Sequence, residues 1–210
     1  MKARTVTPLV ILRPPPPERG PEAIADAELV RRALADDEWA KAAIYRRYAS
    51  QVANIAARLL GNRADMTDVL QDVFLEAFSE LPTLRDPSAL RPWLVRRTVN
   101  KVHKRFRRRK LRRVLGLDRG ADELTLFALQ SPDCSPEDRL ELARISEVLA
   151  SLPARQRVAW VLHRVEGETL PAVADATDTS LATVKRDIAA AQRAIDAHIR
   201  PITLDSKERS

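Results

Sequence analysis

From residue 26 onward, apolar residues recur at intervals of three and four, the spacing that lines one side of an α-helix. Leu29, Val30, Leu34, Trp39, Ile44, Tyr45 and Tyr48 open the pattern, with Asp26 and either Asp36 or Asp37 placed as N-caps. Val52, Ile55, Ala56, Leu59 and Leu60 carry it on to Gly61-Asn62, a helix stop. Over residues 65–81 a broad apolar face is built from Val69, Leu70, Val73, Phe74, Ala77, Phe78 and Leu81. A loop with proline at both ends follows, and Ser88 is placed to cap the next helix. Pro92 still falls in that helix's first turn, where amides lack intrahelical partners. Its apolar positions are Trp93, Leu94, Val95, Val99, Val102 and Phe106. Periodicity is lost over residues 115–135 and resumes after Ser135-Pro136, a helix start with Asp138 three residues beyond the serine. Leu140, Ile145, Val148 and Leu149 line one helix, and Leu152-Pro153 interrupts. Val158, Val161, Leu162 and Val165, with Trp160 nearby, line the next.

Residues 166–199 read as two helices joined by a tight turn. Thr169 is placed to cap the first, Pro171 sits harmlessly in its first turn, and Val173, Ala174 and Ala176 form a small apolar face. Thr177-Asp178-Thr179 breaks the pattern, with Asp178 where a left-handed residue fits. Ser180 then caps a second helix whose stripe is Leu181, Val184, Ile188, Ala191 and Ile195. Opposite lie Ala182, Thr183, Lys185, Arg186, Ala190 and Arg193. Small residues near a helix start with cations beside them suit entry into the DNA major groove. An ordinary helical hairpin with a solvated basic face fits the same pattern.

The polar positions of the first half are less even. Asp68, Asp72, Glu76 and Glu80 recur every four residues and stack four carboxylates on one ridge of the 65–81 helix. Such a ridge is no DNA surface. It is either a solvated face, salt-bridged to arginines elsewhere, or a docking ridge for a basic protein partner. The helix after it carries a cation run from Arg96 to Arg113 that no acid interrupts. Phosphate-backbone binding is the expected role of that run.

Composition narrows the class. The chain has 210 residues, 31% of them charged, 4% aromatic and only 5 of them glycine, which with the spacing predicts an all-α fold. A net charge of +7 suits a polyanionic partner, nucleic acid or an anionic membrane surface. No apolar run approaches the roughly 20 residues that span a bilayer. The apolar run at residues 8–12 is too short and proline-bound for a secretory signal, so a cytoplasmic location is expected. Cys134 stands alone, which excludes an internal disulfide and a cysteine-rich metal site. His103 and His163 have no ligand partner at metal spacing and read as structural. No glycine-rich phosphate loop, Ser–His–Asp set or paired catalytic carboxylates point to an enzyme, and no cofactor or metal is expected.

Two stretches together resemble one family. ALADDEWAKAAIYRRYASQVANIAARLLGNRADMTDVLQDVFLEAF, continuing to RPWLVRRTVNKVHKRFRRRK, resembles conserved region 2 of the extracytoplasmic-function (ECF) sigma factors of bacterial RNA polymerase. LPARQRVAWVLHRVEGETLPAVADATDTSLATVKRDIAAAQRAI resembles their region 4. The resemblance implies that the acidic helix docks on core polymerase through Asp68, Gln71, Asp72, Glu76 and Glu80. It implies that the loop 84–88 and the following helix hold the melted downstream (−10) promoter element, through Arg85, Asn100, Lys101, Lys104, Arg105 and Arg108. The upstream (−35) element would be read from Ser180, Thr183, Lys185, Arg186 and Arg193. An anti-sigma factor is a further partner it suggests. This chain departs from the family at Arg97 and Thr98, where an apolar residue and alanine are usual, and at Asp178, where glycine is usual. It also departs at Asp187, in the reading helix where arginine or another neutral-to-basic residue is common; that carboxylate either reads cytosine or turns inward toward a cation.

The expected organisation is two small helical domains joined by a flexible linker. A proline-rich arm spans residues 1–25, the region 2 domain 26–113, the linker 114–136, the region 4 domain 137–199 and a tail 200–210. The rival is a stand-alone helix-turn-helix regulator binding duplex DNA as a dimer, which leaves the acidic ridge and the cation run unused.

Overall fold

The computed structural model describes residues 24–115 and 136–199. The proline-rich arm up to residue 23, the linker from residue 116 with Cys134, and the tail lie outside the described residues. Within them the fold is all-α, with no strand. In chain order the helices are α1 (Asp26–Leu34), α2 (Glu38–Leu60), α3 (Arg63–Glu80), α4 (Leu90–Val114), α5 (Pro136–Ser151), α6 (Ala154–Trp160), α7 (Leu170–Thr177) and α8 (Leu181–Ile199). Short 3-10 turns at Leu81–Thr83 and Pro87–Ala89 lead from α3 into α4. A π-helical turn, Val161–Val165, continues α6, its wider coil marked by the Glu166 amide donating to the Val161 carbonyl at 3.0 Å.

Local chemistry sets most boundaries. Asp37 caps α2 by accepting from the amides of Trp39 and Ala40, and Gly61 ends it in the left-handed conformation at φ 75°. Asn62 caps α3, Thr169 caps α7 through the Ala172 amide, and Ser180 accepts from the Thr183 amide at 3.2 Å. Asp178 adopts the left-handed conformation at φ 53°, ψ 48°, as its place in the turn requires. Two expected caps differ. Asp26 is already inside α1, its carboxylate taken by Arg47 and the Tyr48 hydroxyl. Asp86, not Ser88, caps the entry to α4 by accepting from the Ser88 amide at 2.9 Å, because the chain makes a 3-10 turn before the α-helix begins.

The first group packs α2 against α1, α3 and α4; the second packs α8 against α5, α6 and α7. Leu29, Ile44, Ile55, Leu59, Val69, Val73, Leu94 and Val99 are fully or almost fully buried in the first, and Val158, Leu162, Val184 and Ala191 in the second. Four residues assigned to buried faces are instead exposed. Leu34 ends α1 beyond Leu29, Val30 and Ala33, which that helix buries, and Trp39 and Tyr45 flank the line Ala40, Ile44, Tyr48 and Val52 that α2 actually buries. Arg32 covers the Trp39 ring at 4.7 Å, and Tyr45 meets the Phe74 ring edge-on. Leu181, in the first turn of α8, precedes the point where that helix reaches its neighbours.

The two groups also touch. Helix α7 lies on α4, and the π-turn lies on α2. The wide turn matters here because it swings Glu166 and Glu168 towards the first group.

Candidate functional site

Helices α3 and α4 lie side by side, and their charges form one ladder. Arg97 donates to Glu80 at 2.6 Å and to Glu76 at 3.2 Å, and Lys101 also bonds Glu76. Arg105 reaches Asp65 at 3.3 Å and Asp68 at 3.1 Å, with Asp72 at 3.8 Å, and Arg109 bonds Asp65. Acid numbers fall as cation numbers rise, so two four-residue repeats on antiparallel helices run past each other in register. Each pair is partly exposed and worth at most about 1 kcal/mol. Together they cancel the like-charge repulsion within α3. Burial works to raise the Asp65 carboxyl, but the Asn62 hydrogen bond and the charges of Arg109 and Arg105 outweigh it and hold it below its ordinary value.

Of the two readings open for the acidic ridge, the ladder shows the salt bridges to arginines, and their partners lie in the cation run of α4. Glu76 and Glu80 are engaged with α4, and Lys101 and Arg105 are engaged with α3. What α3 leaves open is the strip of Thr67, Gln71, Asp72, Leu75 and Ser79, where Leu75 is 73% exposed. Sequence reasoning missed Leu75; a leucine off the apolar stripe, beside Gln71 and Asp72, was the available signal.

On α4 the face turned away from α3 is the four-residue line Arg96, Asn100, Lys104 and Arg108, with Arg107 beside it; all are exposed. Arg85 is exposed in the loop before it. The two unusual residues of this helix are both packed, although Arg97 Nε is buried without a hydrogen-bond partner. Thr98 is fully buried and its hydroxyl donates to the Leu94 carbonyl at 2.8 Å, while Arg97 lies 3.9 Å over the Trp93 ring. His103 is half-buried against Phe106, and burial, with Arg107 nearby, holds it below its ordinary value.

In the second group, Lys185, Arg186 and Arg193 are exposed and Thr183 is half-buried. Arg186 donates to the Thr183 hydroxyl at 3.3 Å, and that hydroxyl shares a hydrogen bond with Ser180 at 2.9 Å. The start of α8 is thus an ordered polar cluster projecting beyond the helix pair. Trp160 donates to Gln192 at 2.9 Å and ties the middle of α8 to α6. Asp187 turns inward: it is buried and pairs with Arg155.

Between the groups lies a set of residues that spacing did not single out. Arg58 of α2 pairs with Glu166, both nearly buried, and Arg91 donates to Glu168 at 2.6 and 3.2 Å. Burial holds Glu166 above its ordinary value in spite of Arg58. Arg157 donates to the carbonyls of Leu149 and Ala150 at the end of α5 and of Leu59 at the end of α2, capping two helix C-termini at once. It also lies 4.9 Å over the Phe106 ring, and burial, with Arg109 nearby, pushes it down to about 10. Arg96 meets Asp178 at 3.5 Å, so the turn of the helix pair abuts the face of α4 turned away from α3. Among the described residues no group of His, Cys, Asp and Glu could hold a metal ion, and no helix is long and apolar enough to cross a membrane.

A helix-turn-helix with a cationic exposed face, preceded by a four-helix unit with its own cationic face, has the make-up of a helical DNA-binding protein. Residues 44–112 match Sigma-70 region 2 and residues 142–195 match Sigma-70 region 4. The RNA polymerase sigma factor NccH of Alcaligenes xylosoxydans xylosoxydans is 30% identical over 173 residues, 82% of this chain and 93% of that one. The ECF RNA polymerase sigma-E factor of Escherichia coli K12 is 29% identical over 189 residues, 86% of this chain and 97% of that one. Among solved structures, CnrH in complex with the cytosolic domain of CnrY superposes with a TM-score of 0.58 at 26% identity, covering 83% of this chain and 96% of CnrH. The sigma factor RpoE in complex with the anti-sigma factor NepR from Bartonella quintana shares the fold, with a TM-score of 0.60 at 20% identity over 75% of this chain and 95% of RpoE. The chain belongs to the ECF sigma factors of RNA polymerase. Its function is accordingly to bind core RNA polymerase and direct promoter recognition and transcription initiation.

Proposed function

We propose that the division of labour follows the free faces rather than the whole charge runs. The open strip of α3, with Gln71, Asp72 and Leu75 at its centre and Asp68 at its edge, docks on core polymerase. Asn100, Lys104 and Arg108, with Arg107 and Arg85, hold the downstream promoter strand once it is melted. Lys101 and Arg105 act indirectly, by fixing α4 against α3. Lys185, Arg186, Thr183 and Arg193 read or grip the upstream element, with Ser180 capping their helix. The region 2 unit is residues 26–113 and the region 4 unit 137–199. The protein acts in the cytoplasm, without chemistry of its own, and an anti-sigma factor is a fitting regulator: the sigma factor RpoE, which shares this fold, is held by one.

The observation that carries this reading is the separation of two polar sets on one helix: the cations Arg97, Lys101, Arg105 and Arg109 turned to α3, and the neutral Asn100 with the cations Lys104 and Arg108 turned away. The two promoter elements are about 25 base pairs apart, roughly 85 Å of straight duplex at 3.4 Å per step. Here the turn at Asp178 touches Arg96, so the two groups must part when both elements are engaged at once.

The test is transcription with core polymerase and the full-length chain over a library of promoters. Wild type should start at defined sites. Asn100→Ala with Lys104→Ala should impair strand opening while leaving assembly with core intact. Initiation that does not need core polymerase, or normal opening by the double variant, would overturn the assignment.

A further inference from the structure

Asp187 is the one carboxylate in the first half of α8, and it stands at a seam. Three and four residues away on the same side are Val184 and Ala191, which are buried, and Thr183 and Ala190, which are half-buried at the margin of the reading face. Arg155, at the start of α6, reaches across to it. Arg155 Nη2 donates to Oδ1 at 3.2 Å and Nε lies 2.6 Å from Oδ2. The exposures are unequal: the Asp187 side chain is 6% exposed and the Arg155 side chain 58%. Nε approaches Oδ2 off the line of a hydrogen bond, so that buried oxygen is left without a full partner. A buried, incompletely satisfied carboxylate is a costly means of joining two helices that already share an apolar contact. What it achieves is a half-exposed guanidinium held in one orientation against α8, at Asp187.

We propose that Asp187 is a positioning residue that aims Arg155 at the phosphate backbone beside the groove α8 enters, making Arg155 a DNA contact in its own right. This rests on the reading of α8 as the upstream-element helix. With Nε and one Nη2 hydrogen turned to Asp187, the Nη1 hydrogens and the second Nη2 hydrogen are available to a phosphate. An arginine already fixed by its carboxylate loses less freedom when it grips, so the contact gains by pre-organisation. The pair carries no net charge, and its effect is directional and short-ranged.

The sign of one substitution separates this from the obvious alternatives. Asp187→Asn removes a negative charge from a DNA-facing helix, so electrostatics alone predicts tighter binding. Positioning predicts weaker binding. Full-length variants are assembled with core polymerase on a promoter that wild-type protein transcribes, and affinity is followed across salt concentrations, with thermal melting of each variant alongside. Arg155→Ala should weaken binding about tenfold, the loss of one charge-assisted hydrogen bond, and lower the salt slope by about 0.9. Arg155→Lys should keep the slope and lose part of the affinity. Asp187→Asn should weaken binding several-fold, and in the Arg155→Ala background it should add nothing. Tighter binding by Asp187→Asn, or an unchanged slope in Arg155→Ala whatever its melting temperature, overturns the proposal. Failure of wild-type holoenzyme to start transcription at any promoter overturns the parent reading, and this one with it.

Discussion

Replacing Arg58 with methionine is the most informative single perturbation of the packing. Arg58 and Glu166 are 11% and 6% exposed and pair directly, with Glu168 and Arg91 close enough to act on Glu166 and Arg58 Nε left without a hydrogen-bond partner. Methionine keeps most of the stem's volume but strands the Glu166 carboxylate. Breaking a buried pair from one side costs about 3–5 kcal/mol, because an uncompensated charge remains. With a urea slope of about 1–3 kcal/mol per molar, that shifts the unfolding midpoint by at least about 1 M. The cost is itself pH-dependent. Burial already raises Glu166 above its ordinary 4.5, so its ionised form is the one the folded state disfavours. As the pH falls through that raised value the carboxyl takes up a proton and the penalty shrinks, so Arg58→Met should be most damaging at neutral pH. Adding Glu166→Gln should restore stability to within about 1 kcal/mol of wild type, since no charge is then stranded. Because the pair joins α2 to the segment after α6, the single variant should also unfold in two steps where wild type unfolds in one. Urea titrations followed by far-UV circular dichroism measure all of this. A loss below about 0.5 kcal/mol at neutral pH, or a double variant no better than the single one, refutes the account of the contact.

Other outcomes follow from the site. Leu75→Ala should leave stability within about 0.5 kcal/mol and weaken core polymerase binding several-fold in a titration, whereas Glu76→Lys should cost about 1–2 kcal/mol by setting a lysine against Arg97 and Lys101. Asp178→Gly should stabilise by up to about 1 kcal/mol by relieving left-handed strain, its exposed partner Arg96 counting for little; Asp178→Val should destabilise, both read by thermal melting. His103 is held below its ordinary 6.5, so the unfolded chain takes up a proton there before the folded one. Stability should therefore fall as the pH drops below about 6.5, and His103→Gln should flatten that part of the profile.

The helices and their caps were legible in the sequence because both depend on neighbours three or four residues away. The apolar stripes, Asp37, Gly61, Thr169, Asp178 and Ser180 all follow from local spacing and backbone preference. The helix-turn-helix was legible for the same reason, and two stretches in the right order sufficed for the family. Local spacing could not show what each charged side chain faces. The four-residue repeats of α3 and α4 are both visible in the chain, yet only antiparallel packing sets Arg97, Lys101, Arg105 and Arg109 against the acids and leaves Asn100, Lys104 and Arg108 outside. Nothing in their local spacing marks Glu166 and Glu168, which the π-turn carries to Arg58 and Arg91, more than seventy residues away in sequence. Asp187 left two readings open, and Arg155, thirty-two residues earlier, decides for the inward one. A charge is committed by whichever opposite charge the fold brings within a few ångströms, and that distance is a property of the tertiary structure alone.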